Sequence, residues 1–294
     1  MAEKLYDILI IGAGPAGMTA AIYAGRAGKS IAIFDKNGYG GNIASSPKVE
    51  NIPGFVSVSG MDFANNMYAQ MTNISNIDHF INEVALVRYN NGLYNIFTDE
   101  SEMFVGKTII FATGSEHRKL DLPTKNIYYC VTCDGPLFRD KNVVVVGSGN
   151  TGVTYALELA SYCKQVFLCD VTENMMCEKI LRDRVASTKN IIWSSKTTIK
   201  NVHNNKSNKL DKVIFSNGKE FKCSGIFAAI GLKLNTEIMK DFVTIEKTGE
   251  ASTANFPGIF IAGDCKVNRI RQVVSACSDG AIAATNAVAY LSKI

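Results

Sequence analysis

The sequence lacks the marks of several classes of protein. Its longest apolar runs, Val143–Val146 and Ile226–Ile230, fall far short of the ~20 residues that a membrane-spanning helix needs. The N-terminus has no basic segment followed by an apolar segment and a cleavage site, so no signal peptide is expected. Lysine and arginine form no run and the net charge is only +4, so nucleic acid is not an expected partner. With 47% hydrophobic residues the chain is globular, and 294 residues are enough for two domains.

Cysteine is also scarce, and most cysteines stand alone. The isolated ones are Cys163, Cys169, Cys177, Cys223, Cys265 and Cys277, and the histidines are His79, His117 and His203. None of them adds ligands at the short spacing that a zinc site requires, so no structural metal is expected. Isolated cysteines suit a reducing cytoplasm better than a disulfide-stapled secreted fold, so we expect a cytoplasmic protein.

The exception is the stretch Cys130-Val131-Thr132-Cys133-Asp134. Two thiols separated by two residues can close into a disulfide ring and reopen, and the first thiol of such a motif often ionises easily. Asp134 follows directly and could move protons on and off the leaving thiol, although a turn or N-cap aspartate would look the same. Half of a zinc site also has this spacing. Redox chemistry is therefore the favoured interpretation, with a structural metal as its alternative.

A complete dinucleotide-binding pattern opens the chain. The apolar strand Leu5–Ile11 leads into Gly12-Ala13-Gly14-Pro15-Ala16-Gly17, a helical pattern follows over 18–27, and a second strand, Ile31–Phe34, leads to Asp35. Gly12 permits the tight turn, Gly14 lets the backbone approach a pyrophosphate, and Gly17 lets the helix lie close to the strand. Asp35 lies 23 residues after Gly12, where it can accept hydrogen bonds from a ribose.

The same pattern occurs a second time. A strand over 141–146 leads into Gly147-Ser148-Gly149-Asn150-Thr151-Gly152, a helical pattern over 153–161 follows, and the strand 165–169 ends at Asp170. Two such units predict two nucleotide-binding folds of one type. Further strands over 108–114, 227–231 and 258–264, a small β-meander over 85–104 and a last helix over 272–290 complete the pattern. We therefore expect an outer nucleotide-binding domain from 1–116 and 240–294, with a domain of 117–239 inserted in it.

Together the motifs resemble the low-molecular-weight thioredoxin reductases over essentially the whole chain. The resemblance is carried by Gly12–Gly17, Gly40-Gly41, Val49–Gly54, Ala112–Gly114, Cys130–Gly135, Gly258–Asp264 and Arg271-Gln272. It implies an α/β fold of two Rossmann-like, three-layer domains, one inserted in the other. It also implies bound FAD, a redox disulfide in the inserted domain, a homodimer and thioredoxin as the protein substrate.

The resemblance assigns roles to particular residues. It implies that Cys133 lies nearest the flavin, that Cys130 attacks thioredoxin, and that Asp134 donates and accepts protons. The start of the last helix, 275–280, would face the edge of the flavin ring. The residues expected to bind the cofactor are Gly12, Gly14, Pro15, Ala16, Gly17, Asp35, Lys36, Gly41, Asn42, Asn51, Ala112, Thr113, Gly114, Gly263, Asp264, Arg271, Gln272 and Val273.

One stretch departs from the family pattern. After the strand of the second unit the family carries a His-Arg-Arg run and a further arginine, which hold the 2′-phosphate of NADPH. Here the aligned residues are Cys169–Met176, which include Asp170 and Glu173 and contain no cation. Two carboxylates would repel a phosphate, so a pyridine nucleotide is doubtful and NADPH most of all. Met175, Met176 and Cys177 also suggest a site filled by apolar side chains.

Several functions remain open at this point. We expect a thioredoxin reductase whose electron donor is reduced ferredoxin, because a subgroup of these flavoenzymes uses ferredoxin and the mildly basic chain suits an acidic partner. The alternatives are an enzyme that uses NADH, with Asp170 on the ribose, or NADPH. A dithiol oxidase that passes electrons to oxygen and a non-enzymatic FAD-binding scaffold are the remaining alternatives.

Overall fold

The computed structural model describes residues 4–46, 49–267 and 270–294, except for the side chains of His117 and Cys133. The described chain forms two compact units. The first comes from Met1–Ala44, Glu50–Glu116 and Leu234–Ile294, and the second from Ser45–Val49 and His117–Lys233. The chain returns to the first unit at 234, earlier than the 240 expected from sequence. The domain boundaries expected from the sequence, 1–116 with 240–294 and 117–239, stay a prediction.

The elements follow one another in the order that the sequence predicts. The first unit opens with β1 (Leu5–Ile11), α1 (Pro15–Arg26), β2 (Ile31–Phe34), α2 (Gly60–Thr72), β3 (Ile77–Phe80), β4 (Val84–Asn90), β5 (Leu93–Thr98) and β6 (Met103–Phe111). After β7 (Ser115–His117) the second unit contains β8 (Ile127–Tyr128), α3 (Val131–Asp134), β9 (Asn142–Val146), α4 (Asn150–Ala160), β10 (Gln165–Cys169), α5 (Lys179–Ser187), β11 (Ile191–Ser194), β12 (Ile199–Asn204), β13 (Leu210–Phe215), β14 (Glu220–Lys222) and β15 (Gly225–Ala228). After β16 (Leu232–Leu234) the first unit ends with β17 (Val243–Ile245), β18 (Ala251–Ala254), β19 (Ile259–Ile261) and α6 (Val273–Leu291).

The first unit is built on a sheet in the order β3-β2-β1-β6-β5-β4, with β19 also paired to β6. Strands β3, β2, β1, β6 and β19 are parallel, as strands joined by crossover helices must be. The first part of β6 instead pairs antiparallel with β5, which pairs antiparallel with β4. The predicted meander therefore branches from the same strand that runs beside β1.

The second unit repeats this plan on a smaller scale. Its parallel sheet has the order β11-β10-β9-β15-β8, and β12, β13 and β14 form a separate antiparallel meander. Strand β9 reads Asn-Val-Val-Val-Val, and its four valines are buried with alternate ones in the two core clusters of this unit. An apolar run without alternation is what a parallel strand covered on both faces requires. The predicted α/β class with two doubly wound units is confirmed.

The core of the first unit lies between its sheet and the segments that cover it. Leu9 and Ile11 of β1 pack with Phe111 of β6 and with Phe242 and Ile259 from the returning chain. No helix among the described residues is long and apolar enough to cross a membrane.

Candidate functional site

The first glycine turn has the geometry of a dinucleotide cradle. Gly12 has φ +105°, and a Cβ added there would lie 2.2 Å from the carbonyl oxygen of Ala112. A Cβ on Gly17 would lie 1.8 Å from the carbonyl oxygen of Gly12. Only glycine fits either position, because both contacts are with backbone that cannot move aside. Strand β1 and helix α1 are thereby held close enough for the helix N-terminus to face the end of the strand.

Gly14 is the N-cap of α1 and leaves the helix N-terminus open. Its extended backbone and missing side chain expose the amide groups of the first turn, and Pro15 begins the helix. A Cβ on Gly14 would meet only the Cα of Gly41, at 4.0 Å. The space in front of these amides therefore suits an anion such as a pyrophosphate, which the N–H groups and the helix dipole would both bind.

Asp35 fixes this turn from the end of β2. Its Oδ2 accepts a hydrogen bond from the backbone N–H of Ala13 at 2.9 Å, and its Oδ1 accepts one from Asn37 at 2.9 Å. The N–H of Gly40 then donates to the carbonyl of Ala13 at 2.9 Å. The loop after β2 is thus tied to the glycine turn at both of its ends.

A partly buried chain of hydrogen-bonded side chains lies near the same helix end. The amide of Asn42 donates to the carbonyl and hydroxyl oxygens of Ser115 at 2.9 and 3.0 Å, and the Ser115 hydroxyl donates to Asp264 at 3.1 Å. Burial raises the pKa of Asp264, although Ser115 and Arg271 act in the opposite direction. A Cβ on Gly263 would lie 2.8 Å from the Cβ of Ala16, so Asp264 follows a close approach to α1. Sequence reasoning missed Ser115, although it directly follows the Ala112–Gly114 motif.

The remaining residues predicted to bind the cofactor have protein partners of their own. Lys36 pairs with Glu83 at 3.2 Å on the surface, and Arg271 forms an ion pair with Glu250. Asn51 donates to Gln272 at 3.1 Å, and Gln272 caps α6 just before Val273.

Two further contacts come from a residue that the sequence did not single out. Asn235 donates through its side chain to the carbonyl of Thr113 at 3.1 Å and through its backbone to that of Gly114 at 3.0 Å. The hydroxyl of Thr113 donates to the carbonyl of Asn235 at 2.5 Å. The roles of the predicted residues toward a cofactor stay predictions.

In the second unit the cysteine motif forms the short helix α3. Cys130 is disulfide-bonded, whereas the six isolated cysteines are free. Val131 is fully buried, and the N–H of Asp134 donates to the carbonyl of Cys130 at 3.1 Å. Burial raises the pKa of the Asp134 carboxyl. The side chain of Cys133 lies outside the described part of the structure.

The second glycine turn has nearly the same backbone geometry as the first. Gly147 has φ +108°, and a Cβ there would lie 2.1 Å from the carbonyl oxygen of Ala229. A Cβ on Gly152 would lie 1.9 Å from the carbonyl oxygen of Gly147. Gly149 caps α4 in the same extended conformation as Gly14 caps α1. The turn therefore has the shape of a nucleotide cradle, whatever surrounds it.

Asp170 accepts three hydrogen bonds at this second turn. Its Oδ2 accepts the N–H and the hydroxyl of Ser148 at 2.6 and 2.8 Å, and its Oδ1 accepts the N–H of Thr172 at 3.1 Å. Burial alone would raise the pKa of Asp170, but these hydrogen bonds hold it below its ordinary value. The carboxylate is therefore charged and has its protein partners already.

Two cations among the described residues contact the segment after β10, and the sequence pattern revealed neither. Arg182 of α5 donates to the carbonyl of Met175 at 3.4 Å. Lys196, from the loop after β11, lies 2.8 Å from Glu173 and neutralises it. Met175 and Cys177 pack against the core of this unit, whereas Met176 is 69% exposed. The apolar filling expected from the sequence thus involves two of the three side chains. Among the described residues, no group of three or more His, Cys, Asp or Glu could hold a metal ion.

Comparison with known proteins gives matches along nearly the whole chain. Residues 6–280 match the family model described as pyridine nucleotide-disulphide oxidoreductase. The chain is 37% identical to a Clostridium pasteurianum protein described as a 34.2 kDa protein in the rubredoxin operon, over 98% of each chain. It is 32% identical to the thioredoxin reductase of Listeria innocua, over 99% of this chain and 96% of that one. The crystal structure of T. acidophilum thioredoxin reductase superposes with a TM-score of 0.91 at 31% identity, covering 98% and 99% of the two chains.

Proposed function

The chain belongs to the pyridine nucleotide-disulphide oxidoreductase family, as a flavoprotein of the thioredoxin reductase type, and from this premise we propose that it reduces thioredoxin with electrons from ferredoxin. The observation that carries the proposal is the disulfide-bonded Cys130 beside a carboxyl group, in a chain with a complete dinucleotide cradle. The glycines of this cradle fit FAD in two ways: Gly14 leaves the space before the first amides of α1 open, and Gly12 and Gly17 let the strand, the turn and the helix pack closely behind that space.

The chemistry of the proposed reaction balances on two electrons and two protons. FAD, when bound, supplies the conversion between single electrons and an electron pair. The pair opens the Cys130–Cys133 disulfide, and the Cys130 thiolate attacks one sulfur of the thioredoxin disulfide and expels the other. Cys133 then attacks the Cys130 sulfur, which releases the second thioredoxin thiolate and closes the ring again. Asp134 passes protons to the departing sulfurs, and its raised pKa suits a group that must hold and release a proton.

Charge and geometry around Asp170 support ferredoxin over NADPH as the donor. Both carboxylate oxygens already accept hydrogen bonds from Ser148 and Thr172, and Lys196 is paired with Glu173. A 2′-phosphate placed here would face a carboxylate instead of the arginines that hold it elsewhere in the family. The net charge of +4 favours an acidic partner.

The intact second glycine turn favours one alternative, an enzyme that uses NADH. NADH has no 2′-phosphate, and its pyrophosphate would need only the open amides after Gly149. On this alternative Asp170 would accept a ribose hydroxyl with its remaining acceptor capacity, as proposed for Asp35, whose carboxylate also accepts two backbone N–H groups of its own turn.

An anaerobic titration of the flavin with each donor tests the proposal. Reduced ferredoxin should bleach the flavin absorbance of the oxidised protein, and NADH or NADPH at micromolar concentration should not. Thioredoxin added afterwards should restore the absorbance and gain two thiols. Cys130→Ser is the control, because its flavin should still be bleached by ferredoxin while thioredoxin stays oxidised.

The outcomes separate the competing functions. Rapid bleaching by either nucleotide would refute the ferredoxin donor and leave the reductase standing. In the presence of oxygen, oxidation of a small dithiol to its disulfide with reduction of O2 to hydrogen peroxide, with thioredoxin left oxidised, would refute the reductase in favour of an oxidase.

We further propose that the chain works as a homodimer in the cytoplasm. The half-exposed apolar side chains of Tyr23 on α1 and Ile282 on α6 support an interface there. Light scattering during gel filtration measures the mass, and a monomer at micromolar concentration would contradict the dimer.

A further inference from the structure

A cluster of three rings stands behind the loop that follows Asp35. The ring of Tyr39 stacks on that of Tyr68 from α2, with centroids 3.9 Å apart and planes 7° apart. The hydroxyl of Tyr68 lies 3.2 Å from Nδ1 of His79 on β3, and the hydroxyl of Tyr39 donates to Asn65 at 3.1 Å. The nucleotide-binding motifs contain none of these three rings, and all belong to the first unit.

The hydrogen bonds of His79 determine its tautomer. Its Nε2 lies 2.9 Å from the carbonyl oxygen of Gly38. A carbonyl can only accept, so Nε2 carries the proton and donates to Gly38. Nδ1 is then the acceptor, and the Tyr68 hydroxyl donates to it. The imidazole therefore links the helix, the sheet and the loop through two hydrogen bonds.

The loop held by these contacts is the one that would contact the adenosine half of the dinucleotide. Gly38 bonds back to the carbonyl of Asp35 at 3.2 Å, and Gly40 bonds to Ala13 of the glycine turn at 2.9 Å. Gly38 and Gly40 both have positive φ, at +92° and +99°, which glycine adopts as readily as negative φ, so the loop sequence permits several backbone paths. Contacts from outside the loop must therefore select this path.

We propose that Tyr39, Tyr68 and His79 are positioning residues for FAD, which act by holding the loop 36–40 in its binding conformation. This inference rests on the proposed FAD site. A loop that is already ordered in the free protein binds the ligand more tightly, because binding then costs less conformational entropy. The effect should fall on the adenosine and pyrophosphate half of the cofactor, since this loop joins Asp35 to the glycine turn.

The test measures the affinity of the full-length, flavin-free protein for FAD and for ADP. ADP contains the adenosine and pyrophosphate half alone, so it reports on this loop without the flavin ring. Tyr39→Ala and His79→Ala should each raise both dissociation constants by the same factor, about tenfold. Tyr39→Phe keeps the stacked ring and His79→Gln keeps a donor and an acceptor, so both should stay within about twofold of the wild type.

Tyr89→Ala is the matched control, because Tyr89 also packs in an aromatic pair of the first unit, with Tyr94, but lies on β4 away from the loop. It should lower the melting temperature and leave both affinities unchanged. If the alanine variants do not fold, Tyr68→Phe removes only the hydroxyl and should accelerate FAD release about threefold.

Two results would overturn the inference. One is a variant of Tyr39 or His79 that folds and binds both ligands as the wild type does. The other is weakened FAD binding with unchanged ADP binding, which would move the effect to the flavin half. A wild-type protein that binds no FAD would instead refute the proposed function itself.

Discussion

Alanine in place of the two N-cap glycines should affect FAD affinity differently in the two units: it should weaken FAD binding in the first unit and leave it unchanged in the second. Gly14 and Gly149 cap α1 and α4 with nearly the same backbone angles, φ −75° and −70° with ψ −176° and 179°. Alanine adopts these angles without strain. A Cβ would come no closer than 4.0 Å to the Cα of Gly41 in the first case and 3.9 Å to the carbonyl oxygen of Met176 in the second. Each substitution therefore adds one methyl group that the fold can accommodate.

The expected energies follow from what that methyl group displaces. Glycine is a better N-cap than alanine, so each change should cost the fold at most ~1 kcal/mol. At Gly14 the methyl group would also hold a pyrophosphate away from the helix amides. Loss of one hydrogen bond to a charged group costs ~1.5–3 kcal/mol, which raises the dissociation constant for FAD about 10- to 150-fold. At Gly149 no such loss is expected for a ferredoxin-dependent enzyme.

The assay combines three measurements on both variants and the wild type. Fluorescence quenching on binding gives the affinity for FAD, thermal unfolding gives stability, and thioredoxin reduction with excess FAD and reduced ferredoxin gives turnover. We expect Gly14→Ala to lose FAD affinity with little loss of stability. Gly149→Ala should match the wild type in FAD affinity and turnover, which makes it an internal control.

Two results would refute this reasoning separately. Wild-type FAD affinity in a stable Gly14→Ala protein would mean that the pyrophosphate does not bind at the N-terminus of α1. Strongly reduced turnover in Gly149→Ala, with its FAD still bound, would mean that the second turn takes part in electron delivery. That second result would favour a pyridine nucleotide as the donor.

Three further predictions concern single side chains. Asp134→Asn should lower thioredoxin turnover about 100-fold. Burial raises the folded-state pKa of Asp134 above its ordinary 3.8, so the wild type should lose stability relative to Asp134→Asn as pH rises through that window; a difference in the free energy of unfolding that does not change with pH contradicts the assignment. Cys169 and Cys223, whose pKa values burial raises to about 12, should resist alkylation at about pH 8 in native protein, as mass spectrometry can check; labelling before unfolding would contradict their burial. Gly152→Ala, with its Cβ 1.9 Å from the backbone of Gly147, should cost at least ~3 kcal/mol, and an unchanged melting temperature would disprove the close contact.

The parts of the fold that depend on local sterics could be predicted from the sequence. Strands β1 and β2 begin and end at the predicted residues, because the apolar runs and the glycines that bound them are adjacent in the chain. Both nucleotide-binding helices begin earlier than predicted, at Pro15 and Asn150. The second glycine of each motif is the N-cap, so the third glycine already lies within the helix. Proline at the first helical position was a signal that could have corrected α1.

Contacts between distant residues could not be predicted. Asn235 meets Thr113 across 122 positions of sequence, and Lys196 meets Glu173 across 23. Neither pair follows a helical or strand period, and only the folded sheet brings the partners together. The acidic residue at the end of β10 was correctly placed, but its full set of hydrogen bonds depends on Ser148 and Thr172, whose importance no spacing rule indicates.

The near identity of the two glycine turns has an evolutionary consequence. Backbone oxygens of Ala112 and Ala229 stand where the methyl groups of any replacement for Gly12 and Gly147 would go. Natural selection for a folded protein is then sufficient to preserve the first and third glycines of both motifs, with or without a cofactor to bind. A lineage that changed its electron donor would keep this glycine signature after it no longer bound the original nucleotide. Genome surveys that count the motif would then overestimate the number of nicotinamide-dependent enzymes.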